Sequence, residues 1–223
     1  MPLKLLPMTT ADTLSWTRVR SLAYQGPTHN LLHGNNPISE SSIRSVAEDR
    51  KREIGKPNTW HWKIVDTDLS PSDDDAENNG GRTIAIAVWS LCNANATAVD
   101  TNNEAKPFIP PELRLDALEA LFTPIRKAQL ETMGTETPYF MLNTLATHPE
   151  HQKRGAAKLL LDWGLQKADE EGLLMYLDSS LAGRRMYEKR GFEVVREVRF
   201  DRALWGGEGI DWYGSMIRKV SRR

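Results

Sequence analysis

Apolar positions along this chain follow two periods, and the changes between them mark out its elements. Leu3 to Leu6 reads as a first strand. Leu14, Arg18 and Leu22 at helical spacing predict a helix from near Thr10 or Asp12 toward Tyr24, ended by Gly26-Pro27. Ser39 to Ile54 opens on capping-type residues and is rich in charge, which predicts a second, surface-lying helix closed by Gly55 and Pro57. Trp60 to Val65 and Thr83 to Trp89 then alternate with period two, with Trp60, Trp62 and Ile64 on one face and Ile84, Ile86 and Val88 on another. Together they predict an antiparallel hairpin.

Between those strands, residues 66–81 are Asp, Ser, Asn, Glu and Gly, so the stretch is expected to be too polar to pack, and to be mobile and dispensable. Residues 93–109 form a second irregular insertion. It leads to Pro110-Pro111, a helix opening, and to Leu115, Leu118 and Phe122 on one helical face, with Pro124 expected to kink or divide the helix. From Pro138 the order is strand, loop, helix, strand, helix, strand. Tyr139 to Ala146 is a strand-length apolar run. Ala157, Leu160, Leu161, Gly164, Leu165 and Ala168 then give the clearest helical stripe in the chain, capped by Gly172. Leu173 to Leu177 reads as a buried strand. Leu181 to Arg190 follows as a helix after Ser179-Ser180 and closes at Gly191.

Composition narrows the function classes. A chain of 223 residues carries 29 Lys and Arg against 30 Asp and Glu, so a net charge of -1 offers no footprint for nucleic acid or an anionic membrane. Cys92 is the single cysteine, which excludes an internal disulfide or a multi-cysteine metal site. With no secretion signal and no long apolar run, the expectation is one cytoplasmic domain over residues 1–223. Asn95-Ala96-Thr97 fits the glycosylation pattern only by chance on that reading. Neither monomer nor homodimer is decided.

Candidate chemistry lies between strand and helix, at Gln152, Lys153, Arg154, Gly155, Ala156 and Ala157. A loop entering a helix N-terminus presents free backbone N–H groups beside the positive end of the helix dipole, which suits an anion. Gly155 lets the backbone approach a pyrophosphate, the two alanines keep that approach open, and Lys153 and Arg154 add positive charge. The run lacks both the Gly-Lys-Ser/Thr ending of a Walker loop and the spaced glycines of a dinucleotide fingerprint.

Leu145-Ala146-Thr147-His148-Pro149, then Gln152-x-x-Gly155-x-Ala157, the leucine-rich helix, Ala182-Gly183 and Tyr187-Glu188-Lys189-Arg190-Gly191-Phe192 resemble, in order and spacing, the acetyl-CoA motif of the GNAT acyltransferases. The form Leu-Ala-Thr-His-Pro with Ala-Asp-Glu-Glu-Gly is similar to a group abundant in filamentous fungi. The resemblance implies an α/β fold with a mixed, mostly antiparallel sheet of about seven strands, helices on both faces and splayed central strands. It implies acetyl-CoA as cofactor. Backbone at Leu145, Ala146 and Thr147 would pair with the pantetheine or hold the oxyanion, the amides of 152–157 would hold the pyrophosphate, and Ser180 completes the cofactor set. Tyr187 would protonate the leaving thiolate.

The implied activity is acetyl transfer to an amine by direct attack, with a small molecule as acceptor. The alternatives are a protein or peptide acceptor, or a non-catalytic acyl-CoA sensor. A carboxylate base used by some members on the central strand is missing, because that stretch reads Phe140-Met141-Leu142-Asn143, so the base must come from water or elsewhere. His29 and His33 are read as loop residues near the acceptor site; they lack a third ligand, and no metal is expected. His61 reads as structural, and His148 and His151 as flanking the pyrophosphate loop. Trp205, Trp212 and Tyr213 fall on the expected acceptor wall, although packing alone accounts for such residues.

Overall fold

In a computed structural model, which describes residues 2–94 and 106–220, the alternating runs pair as strands and the stripes of period 3.6 become helices. In chain order these are β1 (Leu3–Pro7), α1 (Thr13–Ala23), α2 (Pro27–Leu32), α3 (Glu40–Arg50), β2 (Thr59–Asp66), β3 (Arg82–Cys92) and α4 (Leu115–Met133). They continue with β4 (Tyr139–Thr147), α5 (Ala156–Glu171), β5 (Leu174–Ser180), α6 (Leu181–Glu188), β6 (Glu193–Asp201) and β7 (Ile210–Arg218). The seven strands form one sheet in the order β1-β2-β3-β4-β5-β7-β6. Every neighbouring pair is antiparallel except β4 and β5.

Strand alternation sends neighbouring residues of β3 to opposite faces, so both faces are apolar and both are covered. Ile86 and Val88 meet Trp16 and Val19 of α1. Ala85, Ala87 and Trp89 turn the other way and pack with Leu160 and Leu161 of α5. Helix α5 comes close because residue 164 is glycine: a Cβ there would run into the Trp89 ring. On the α1 side, α2 and α4 add a second cluster, in which Leu31, Leu32, Leu121 and Ile125 enclose Phe200 of β6.

Several expectations are corrected. Helix α4 starts at Leu115 rather than at the prolines, runs unbroken through Pro124, and buries Ala117, Leu121, Ile125 and Ala128. Of the three residues predicted on one face, Leu118 and Phe122 pack at the margin of this cluster, whereas Leu115 is 51% exposed. Residues 27–32 form α2 with Pro27 in its first turn, which places His29 in a helix and His33 at its C-cap rather than in a loop. Helix α3 ends at Arg50, short of Ile54.

The stretch 66–81 does pack, through polar atoms. Asp75 accepts from Ser72 N (2.8 Å) and Thr83 N (3.1 Å), Asn79 donates to Gly81 O (2.8 Å), and Arg18 Nε donates to Asp74 (2.8 Å). Buried Lys63 bridges the side chains of Asn79 and Asp12. Hydrophobicity alone missed this because the loop is held by hydrogen bonds to buried partners. Of the insertion at 93–109, residues 93–94 and 106–109 have no regular structure, and 95–105, with the Asn95 pattern, lie outside the described residues. Among the described residues no helix is long and apolar enough to cross a membrane.

Candidate active site

The parallel pair β4–β5 is short. It runs from Tyr139↔Leu174 to Leu142↔Leu177 and stops, although β4 continues to Thr147 against β3 and β5 continues to Ser180 against β7. Beyond Leu142 and Leu177 the strands therefore part. A register shift in the β3 pairing, where Val88 faces Thr144 but Trp89 faces Leu142, makes Asn143 the extra residue of a β-bulge at that fork. Asn143, next after Leu142 on the α5 side, turns to the α4 side, where its side chain donates to Ser90 Oγ (2.5 Å). From 143 to 147 the edge of β4 that faced β5 has no strand beside it. An extended ligand with amide groups can take that place, as a further strand would.

Where β4 ends, His148 N donates to Ile84 O (2.8 Å) and a 3-10 turn, Pro149–His151, leads into the loop. Gln152 is extended, and Lys153 and Gly155 both take left-handed conformations, with φ of 61° and 91°. Gly155 stands at the N-cap of α5, with no side chain capping the helix. The first amides of α5 therefore lack a side-chain acceptor, and residues 152–155 are exposed. A Cβ on Gly155 would meet no protein atom within 4 Å, which leaves room in front of those amides. That open cradle of uncapped N–H groups fits a pyrophosphate.

The side chains around it are arranged differently from the expectation. Arg154 pairs with fully buried Asp66, so its guanidinium is anchored to the β2 end of the polar loop. Lys153 is exposed and has no ion-pair partner among the described residues. Ala156 turns into the core at 2% exposure, so its small size serves packing rather than the approach; Ala157 is half-buried. Ala146 is buried beneath α1, Leu145 packs on the α5 side, and Thr147 is half-buried, which leaves their backbone as the available part. His148, Glu150 and His151 bring ligand-type atoms within 4.8 Å of one another, and burial, with His148, Arg154 and Arg82 nearby, lowers the His151 pKa.

Tyr187 projects from α6 and is 8% exposed, its ring edge-on to Phe192 at 5.9 Å. Gly183 makes room for it, since a Cβ there would lie 3.0 Å from the ring. Burial raises the phenol pKa well above its ordinary value, so the hydroxyl keeps its proton at neutral pH. Ser180 stands at the N-cap of α6, exposed and without a side-chain capping bond. His61 lies under Trp16 at 5.1 Å, in keeping with a structural role, and His29 stacks on His33 at 4.3 Å. Trp205 lies in a 3-10 turn, Arg202–Trp205, and packs with Tyr213 against the α2–α4 cluster; Trp212 lies under Arg184.

One group was missed. Asp178, the first residue of β5 past the fork, accepts from Tyr176 Oη (2.7 Å) and Ser215 Oγ (2.9 Å) through Oδ1. Its signal in the sequence is a lone carboxylate directly after the apolar run that ends at Leu177.

One segment of the sequence and the fold of the whole chain are similar to known proteins. The sequence model described as the acetyltransferase (GNAT) family matches residues 120–192, from α4 through the fork, loop and Tyr187 to Phe192. That segment is similar to the GNAT acetyltransferases. A probable acyltransferase, SID5, of Ajellomyces capsulatus is 40% identical over 57 residues, covering 26% of this chain and 42% of that protein, less than half its length. The structure of a histone acetyltransferase HPA2 and related acetyltransferase from Corynebacterium glutamicum has a TM-score of 0.60 at 16% identity, over 100% of this chain and 99% of the other. A Drosophila melanogaster polyamine N acetyltransferase reaches 0.59 at 11% identity, over 98% and 100%. These likenesses show the GNAT fold: a mostly antiparallel, seven-stranded open sheet flanked by helices.

Proposed function

We propose that this protein, acting as a single domain, transfers an acetyl group from acetyl-CoA to the amine of a small molecule by direct attack within a ternary complex. The observation that carries the reading is the juxtaposition of a strand edge without a partner at 143–147 and an uncapped, glycine-opened helix N-terminus at 152–157. Together they match a ligand with amides along one half and a pyrophosphate at the other. Bound there, acetyl-CoA supplies an activated thioester.

The chain's own residues supply the rest. Backbone of Leu145, Ala146 and Thr147 aligns the pantetheine and offers an N–H to the developing oxyanion. The amides of Gln152, Lys153, Arg154, Gly155, Ala156 and Ala157 hold the pyrophosphate, with Lys153 as the free charge, and Ser180 lines the cofactor side at the start of α6. Tyr187 keeps its proton by burial and gives it to the departing sulfur. Both reacting partners are held at once, so no covalent enzyme intermediate is required.

A small acceptor is favoured by the cover on the α4 side. Helix α2 is tied to β7 by a hydrogen bond from Thr28 to Asp211, and Arg202 fastens the β6–β7 connection to the same carboxylate. The test is release of free CoA from acetyl-CoA with a panel of arylamines, polyamines, amino acids and peptides, with products identified by mass spectrometry. Amine-dependent release with a small acceptor supports the reading. Turnover on peptides alone would transfer it to a protein substrate, and tight binding without turnover would leave a sensor.

A further inference from the structure

The acceptor of an acyl transfer to an alkylamine arrives as an ammonium ion, near pKa ~10, and must lose a proton before its nitrogen can attack. The β4 positions next to the fork, Phe140-Met141-Leu142-Asn143, supply no carboxylate. The strand on the other side of the fork does. The last parallel register pair is Leu142↔Leu177, so Asn143 and Asp178 are the first residues of their strands beyond it.

Both turn to the same face. Leu142 and Leu177 pack on the α5 side. Tyr176, two residues before Asp178, stacks edge-on with Tyr139, whose hydroxyl is bonded by Gln129 of α4 at 2.8 Å. Asp178 thus lies on the α4 side, as does Asn143, and this is the side covered by α2 and α4 where the acceptor would enter. Its Oδ1 carries the Tyr176 and Ser215 hydroxyls, while Oδ2 has no hydrogen-bond partner among the described residues and is left to a ligand.

We propose that Asp178 is the general base of the reaction, taking a proton on Oδ2 from the acceptor ammonium at the mouth of the fork; this rests on the acyl-transfer reading above. The ammonium gives one proton to Oδ2, and the freed nitrogen pair forms the C–N bond at the thioester carbonyl carbon. The C–S bond breaks, and sulfur leaves with its electron pair and takes the Tyr187 proton. A second nitrogen proton passes through water to restore Tyr187, and Asp178 releases its own to solvent. The balance is one ammonium and one thioester giving one amide, one thiol and one proton.

The surroundings strengthen the carboxylate as a base. Burial raises the carboxyl pKa, partly offset by the two hydroxyl donors. The titratable groups facing it are Tyr176 on its own strand and Tyr139 on β4, both held protonated, with Ser215 from β7 and, through Tyr139, Gln129 from α4. No lysine or arginine among the described residues forms an ion pair with it.

The test is Asp178→Asn, which keeps an Oδ1 acceptor for both hydroxyls, assayed with an alkylamine the wild-type chain acetylates. We expect kcat/KM at pH 7 to fall about 10²-fold or more, with acetyl-CoA affinity unchanged. The acidic limb of the profile should give way to a rise of about tenfold per pH unit that follows the free amine. Independently of turnover, carboxyl 13C NMR should show one aspartate titrating above the ordinary range, absent from the variant. Should the variant not fold, Tyr176→Phe removes one donor to the carboxylate and should move the acidic limb to higher pH. An Asn variant with a wild-type rate or an unchanged acidic limb overturns the proposal, as does an ordinary Asp178 titration or an unmoved limb in Tyr176→Phe. A wild-type chain that acetylates no amine overturns the acyl-transfer reading itself, and that failure is visible before any variant is made.

Discussion

Leu142 on β4 and Leu177 on β5 are the last partners before the two parallel strands part, and both are buried against α5 on the closed side of the fork. The α5 contacts hold the strands together up to that pair. Past it, the bulge at Asn143 and the turn of β5 toward β7 carry them in different directions. The cleft is thus a product of the sheet's own pairing.

Gly155→Val should remove cofactor-linked stabilisation. With acetyl-CoA at 100 times its dissociation constant, linkage is worth about 2.7 kcal/mol, or roughly 5 to 10 °C in Tm for a chain of this size. Gly155 has a φ of 91°, where a β-branched residue is strained, and the added side chain would fill the open space before the α5 amides. The variant should melt somewhat lower without ligand and show little or no shift with it. A folded variant with the full shift would place the pyrophosphate elsewhere.

Replacing Ser70 to Asn79 with a short Gly-Ser turn should destabilise the protein. The exchange removes the Asn79 carbonyl from buried Lys63, the Asp74 partner of Arg18 and the Asp75 acceptor of Thr83 N. A buried polar group left unpaired costs about 1–3 kcal/mol, so a thermal melt should show a loss of several degrees. An unchanged Tm would mean that the loop's hydrogen bonds contribute nothing net.

The strands, the α5 stripe and the loop before it were legible in the sequence because each is a local pattern: alternation, a period of 3.6, or a glycine ahead of a helix. The α4 face was legible only in part: Leu118 and Phe122 pack at the margin of the stripe formed by Ala117, Leu121, Ile125 and Ala128, while Leu115 is exposed, because packing with α2 and β6 sets the buried face. The 66–81 loop was misread because its partners, Lys63, Asp12 and Arg18, are distant in sequence. Asp178 was missed for the same reason, since only the strand order shows that it borders the fork.

Stability should depend on His61 at mildly acidic pH. Burial, with Arg50 nearby, lowers its pKa to about 4 from an ordinary 6.5. Below pH 6.5 the unfolded chain takes up a proton that the folded chain refuses, so stability falls as pH drops from about 6.5 toward 4. A Tm series over that range should show this decline, flattened in His61→Phe. An identical slope in the variant would remove His61 as the cause.

Tyr187→Phe should lower turnover near or below the low end of general acid assistance, ~10²-fold. Acetyl-CoA affinity should change little, because the ring and its contact with Phe192 remain. The same phenol, with its pKa raised by burial, predicts that any activity loss from tyrosine ionisation appears only at strongly alkaline pH and is absent from the variant. Full activity in the variant would reduce Tyr187 to a packing residue.

The claim on which the rest depends is that acetyl-CoA lies along the free edge of β4 and across the N-terminus of α5. Hydrogen–deuterium exchange with and without acetyl-CoA measures those amides directly. The account predicts that protection on binding concentrates in residues 143–147 and 152–157, at the β4 amides that do not bond β3 and at the uncapped first amides of α5. Tight binding that leaves both stretches exchanging as before, with protection elsewhere in the chain, would contradict it.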